Sequence, residues 1–221
     1  MPLNGLGKVL YKVGDLLAKA MYVHFLWVVF TLAGLVIFGV MPATASVFSV
    51  IRKWLMKEND VPIFRTFVDS YKSYFIETNL LGLFYFLIGL FLYFDLRILN
   101  TELHMNIIRI LVLIAGFLYI LMGLFLLPVY VHFNLSKLNY IKQSFLIVFA
   151  RPLETFLMLV SLVVSYYLFL YLPVVFIFAG TTIVSFPLMW IGMRSFNKIQ
   201  IKQTAYLTPS TNMKKIVGFK I

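Results

Sequence analysis

Apolar residues fall in five long runs along this chain: Met21 to Ile51, Asn79 to Phe94, Ile110 to Ser136, Thr155 to Ala179 and Gly180 to Met193. None of them contains Lys, Arg, Asp or Glu. About 20 apolar residues cross a bilayer core as helix, so these lengths predict spans or pairs of spans. The pattern therefore predicts an all-α, polytopic transmembrane bundle of about five spans, near residues 21–41, 79–98, 107–131, 153–172 and 177–196. All belong to one domain over 1–198, followed by a basic cytoplasmic tail over 199–221.

Between the runs the period changes to that of amphipathic helices. Lys8, Lys12, Asp15 and Lys19 lie opposite Leu3, Leu6, Leu10, Val13 and Leu17, which predicts an interfacial helix over 1–20. Phe64, Phe67, Val68, Tyr71 and Phe75 oppose Arg65, Asp69 and Lys72, and Leu138, Ile141, Phe145 and Val148 oppose Lys142 and Gln143, giving two more. Helix-start signals follow each of these two: Glu77-Thr78-Asn79 before the second span and Pro152-Leu153-Glu154 before the fourth. Pro173 and Gly180 are the candidate turns between the fourth and fifth spans.

The first run, about 31 residues, is long for one span and short for two. Either Met21 to Met41 crosses fully and Pro42 to Ser46 prolongs it, or the run is a hairpin turning at Gly39 to Pro42. Charge bears on the choice, because Lys and Arg near span ends gather in the cytoplasm. With five crossings, fourteen of the 19 cations follow the odd-numbered spans. The hairpin leaves only Arg97 and Arg109 outside. Met21 to Pro42 and Ile107 to Pro128 share one spacing, which favours five crossings, and both readings put the C-terminus inside.

Glycines give the sharpest packing signal. Gly82 and Gly89 are seven apart, as are Gly116 and Gly123, so an antiparallel fold at Asn100 to Asn106 sets 82 against 123 and 89 against 116. Pro42, Ala43 and Ala45 form a second narrow helix surface suited to close packing.

Composition narrows the chemistry. The chain is 62% hydrophobic, with 23 Phe, 13 Tyr and no Cys, which excludes disulfides and thiol catalysis. Its net charge of +11 orients the chain and touches anionic headgroups, so the lipid bilayer is the expected partner and nucleic acid is not. No ionisable side chain falls near a span centre, the usual mark of transport or catalysis. Asp95, Arg97, Glu102 and Arg109, with His104, mark a polar cluster at the outer ends of the second and third spans. His24 and His132 are isolated in apolar runs, and Ser161, Ser165, Tyr166 and Tyr167 suit interhelical hydrogen bonds. No phosphate loop, zinc-protease helix or nucleophile elbow is present, so no enzyme, cofactor or metal is expected.

Met41-Pro42-Ala43-Thr44-Ala45-Ser46, then Arg52-Lys53-Trp54, Glu58-Asn59-Asp60 and the aromatic segment Phe64 to Phe75, resemble the YesL-like family of bacterial integral membrane proteins. Asn79-Leu80-Leu81-Gly82 and Phe94-Asp95-Leu96 match as well, while Met41 replaces a usual Gly, Ser46 an Ala and His24 a common Asn. The resemblance is clear over 21–98 and continues in hydropathy to about 198. The family's biochemical activity is unknown. Members are often encoded beside carbohydrate ABC importers, so the resemblance implies an accessory role in sugar uptake at the bacterial cell membrane, with such an importer as partner. The alternative is a small transporter or channel, which would need a polar cavity at mid-membrane.

Overall fold

Hydrocarbon offers no water to backbone N–H and C=O groups, so a spanning segment must close its hydrogen bonds internally. The computed structural model describes residues 5–58, 61–101 and 106–207, and over them the chain does this entirely with helices. These are α1 (Gly5–Ala33), α2 (Val40–Leu55), α3 (Ile63–Thr101), α4 (Asn106–His132), α5 (Lys137–Ala150), α6 (Pro152–Tyr171) and α7 (Pro173–Leu207). Five contain segments long and apolar enough to cross a membrane: Gly7–Ala33, Ile63–Ile98, Ile107–His132, Pro152–Tyr171 and Pro173–Ile199.

The helix boundaries differ from those read off the hydropathy. Residues 5–20 are not a separate surface helix; they run unbroken into 21–33 as α1. No proline interrupts them, and Asp15 and Lys19 pair at 2.6 Å one turn apart. The chain turns at 34–39, ahead of Pro42, and Thr31 meets Gly39 while Trp27 meets Thr44, so the first run is two helices and not one prolonged helix; of the two, α1 is long and apolar enough to cross a membrane. Leu35 and Val36 take left-handed φ values of 56° and 63°, an unfavourable region for a β-branched residue such as Val36. The flanking glycines serve close approach instead: a Cβ on Gly34 would collide with Gly39 and the Tyr71 hydroxyl, and one on Gly39 with the Thr31 backbone. Pro42 sits in the first turn of α2, where its missing N–H leaves no intrahelical bond unmade.

Glu77-Thr78-Asn79 is not a helix start. The aromatic segment 64–75 and the second span are one 39-residue helix, α3, roughly 58 Å long at 1.5 Å per residue. The polar side chains are accommodated within it: Thr78 Oγ1 donates to Tyr74 O at 2.8 Å, and Asn79 Nδ2 donates to Phe75 O at 2.8 Å and to Phe38 O at 2.9 Å. At Pro152 a helix does begin, with Pro in its first turn and Glu154 behind it. Between α6 and α7 the break falls at Leu172-Pro173, and Gly180 lies inside α7. The first part of the basic tail, up to Leu207, is still α7; residues 208–221 lie outside the described residues.

Contacts between side chains set the directions. Tyr85 meets Tyr119, and Glu77 meets Tyr130, so α3 and α4 are antiparallel. Gly192 lies against Met158, and Lys198 bonds Glu154, so α6 and α7 are antiparallel too. Pro128 packs on Gly192 and His132 on Phe196, so α4 and α7 run the same way. One end of the bundle thus gathers the ends of α4 and α7 with the start of α6, and the core there is built from Val47, Ile51, Phe67, Phe125, Val129, Met158, Met189 and Phe196.

Candidate functional site

The helix that carries the family-like sequence lies at the centre of this packing. In α2, Ala43, Ala45, Ser46, Val47, Val50 and Ile51 are fully inaccessible, so an element of only 16 residues is enclosed by α1, α3, α4 and α7. Its small residues make this possible, because alanine and serine let neighbouring backbones approach where lipid supplies no hydrophobic drive. Its hydroxyls are all engaged. Ser46 donates to Pro42 O at 2.7 Å and Thr44 to Val40 O at 2.6 Å, while Ser70 of α3 donates to Ser49 at 2.9 Å. Trp27 Nε1 of α1 donates to Thr44 at 3.0 Å, which ties α1 to α2 across the turn.

The four glycines of α3 and α4 do not pair with one another. Tyr85 and Tyr119 stack at 4.2 Å with planes 13° apart, and each hydroxyl donates to the other's backbone carbonyl, at 3.1 and 2.9 Å. Gly89 faces the Tyr119 ring and Gly123 the Tyr85 ring, and a Cβ on either would collide with the tyrosine hydroxyl. The antiparallel arrangement expected from the glycine spacing is present, with the pairing displaced by one helical turn, to 85 with 123 and 89 with 119. Gly82 instead accepts the Met41 side chain of α2, and Gly116 has no neighbour within 4 Å of where its Cβ would be. Sequence reading missed the tyrosines, although a signal was available: each stands four residues before a glycine, on the same helix face.

At the outer end, Arg97 Nε donates to Tyr93 OH at 3.0 Å, and its guanidinium lies over that ring at 5.5 Å. Asp95 is half-buried and Arg109 exposed, while Glu102 and His104 lie outside the described residues. The opposite end holds an ion pair with one buried partner, which the sequence did not suggest. Glu154, 4% exposed, accepts from Lys198 Nζ at 2.5 Å. His132 is packed between the rings of Phe133 and Phe196, both centred 4.8 Å away. His24 Nδ1 accepts from the Thr181 backbone N–H at 3.2 Å, and Thr182 donates to Ala20 O at 2.9 Å, joining α1 to α7. Ser161 and Ser165 donate to carbonyls of their own helix, at 2.7 and 2.8 Å.

Two grooves open on the sides of the bundle, and both have apolar walls. One, of about 240 Å³, lies between α3, α4 and α5 and includes Leu81, Phe84, Leu138 and Ile141. The other, about 320 Å³, runs between α6 and α7 past Val164, Leu168 and Trp190. Among the described residues no three His, Asp or Glu side chains come together.

The sequence profile described as "Protein of unknown function, DUF624" matches residues 20–96, which takes in the second half of α1, all of α2 and most of α3. Three proteins of Bacillus subtilis (strain 168) match over most of their length. YteU is 37% identical over 184 residues, 83% of this chain and 82% of the relative. YesV is 36% identical over 86% of this chain and 93% of its own. YesL is 32% identical over 82% of this chain and 87% of its own. This chain belongs to the YesL-like DUF624 family. All three relatives are described as uncharacterized, and no solved structure matches the chain. The DUF624 match is thus centred on the enclosed helix α2 and the two helices that flank it in sequence.

Proposed function

We propose that this DUF624 protein is a non-enzymatic accessory protein of the bacterial cell membrane, working beside a carbohydrate ABC importer with its C-terminus in the cytoplasm. The observation that carries the accessory reading is the filled interior. A transporter needs a polar path through the bundle, whereas at the end where α4 and α7 finish Val47, Val50, Phe125, Val129 and Met189 fill the space between helices, and the two grooves described are peripheral and apolar. Large exposed apolar faces on α3, α4 and α6 suit lipid and the spans of a neighbouring protein. The link to carbohydrate rests on the family resemblance alone, because members are often encoded beside such importers. The test is uptake of a labelled oligosaccharide by cells with and without the gene, together with flux through the purified protein in vesicles. Reduced uptake in the deletion strain and no flux through the protein alone is the expected result. Flux through the protein alone would establish the alternative, a small transporter or channel.

A further inference from the structure

We propose that the groove between α3 and α5 is a binding site for one phospholipid carrying a primary amine, of the phosphatidylethanolamine class. The site does not depend on the accessory reading, because it rests on the groove's own walls and charges.

Depth is the first argument. Glu77 stands two residues ahead of the charge-free run Asn79 to Phe94, and Lys137 opens α5, so both lie where the apolar section of the bundle ends. From them the groove descends along Leu81 and Phe84 of α3, with Leu138 and Ile141 of α5 as the facing wall. A phospholipid has the same polarity profile, charged at the interface and apolar below it.

Charge is the second. Glu77 and Lys137 are exposed and line one groove, yet they do not form an ion pair with each other. Glu77 Oε2 is held by the Tyr130 hydroxyl at 3.0 Å. Separated charges of opposite sign match a zwitterion: the lipid ammonium meets the Glu77 carboxylate, and the phosphate meets the Lys137 ammonium, which recognises phosphate as a point charge. A headgroup without the amine would bring its phosphate towards Glu77 with nothing to offset the repulsion.

Size is the third. At about 240 Å³ the groove is smaller than the roughly 300–1,000 Å³ typical of pockets for compact ligands, and it suits part of an alkyl chain.

The full chain, reconstituted in vesicles of equal phosphatidylethanolamine and phosphatidylglycerol and then extracted in mild detergent, is analysed by native mass spectrometry for retained lipid. One lipid per protein is expected, with ethanolamine lipid enriched about fivefold over glycerol lipid, the effect of one charge pair at an interface. Glu77→Gln, which keeps an acceptor for Tyr130, should remove the enrichment. Leu138→Trp, at a residue 69% exposed, should fill the groove and remove the lipid while elution and helix content stay unchanged. Retained lipid at the vesicle composition, or an enrichment that survives both substitutions, would overturn the site. Retained glycerol lipid that depends on Lys137 alone would overturn the amine assignment.

Discussion

Gly89 and Gly123 are small because a tyrosine from the facing helix lies over each of them. Two stacked rings with reciprocal bonds to backbone carbonyls close α3 on α4. Interhelical hydrogen bonds in membranes average about 0.6 kcal/mol, so shape carries more of this contact than polarity. Gly89→Leu should therefore drive into Tyr119 and cost about 1–3 kcal/mol. Gly116→Leu, which meets nothing within 4 Å, should stay within about 0.5 kcal/mol of the parent. Thermal unfolding in mild detergent checks both, and equal losses from the two substitutions would mean that Tyr119 does not occupy the Gly89 seat.

Among the elements, α2 is the one whose sequence and surroundings agree most closely. Its Ala43 and Ala45 are fully inaccessible, so the small-residue surface is used within the protein and not against a partner. Replacing either with Leu should overpack the interior by about 1–3 kcal/mol, and Ala43→Leu with Ala45→Leu together should abolish folded yield. Size-exclusion profiles and helix content report this directly. A double variant that keeps a monodisperse, helical protein would show that α2 is not enclosed as described. By contrast α3, at 39 residues, exceeds the roughly 30 Å hydrocarbon core, and its first half emerges to flank α2. That overhang explains why Phe67 and Tyr71 belong to the same core as Val47 and Ile51.

On the scale of the whole molecule, the end that gathers Arg52, Lys53, Lys137, Arg151 and Lys198 is the basic one, and the positive-inside rule predicts that it faces the cytoplasm. A phosphatase reporter fused after Ile221 should be inactive, and a reporter that needs the cytoplasm should be active there. With α1, α3, α4, α6 and α7 all crossing, a reporter at Met1 should give the opposite pattern. The same pattern at both ends would mean that α1 does not cross.

Much of this protein was legible in its sequence because lipid permits few solutions. Runs of apolar residues without charge must be helices, and so the class, the five spans and the antiparallel pairing of α3 with α4 follow from hydropathy and short loops. Pro152 and Pro173 were readable as boundaries for a local reason, since a ring without an N–H starts a helix at no cost. The boundaries that were misread depend on contacts between distant residues. Reversal at 34–39 needs Gly34 and Gly39 to touch and Tyr71 to reach across from α3. Continuity of α3 through Glu77 to Asn79 needs α2 beside it, where Asn79 finds Phe38 O. The partners of Gly89 and Gly123 required the register of two helices to one turn, and a seven-residue spacing fits two registers equally well. What tertiary structure alone decided was which small residues face a ring, which face a side chain such as Met41, and which, like Gly116, face open space. Those differences arise from the relative depth and rotation of whole helices, and no single segment encodes them.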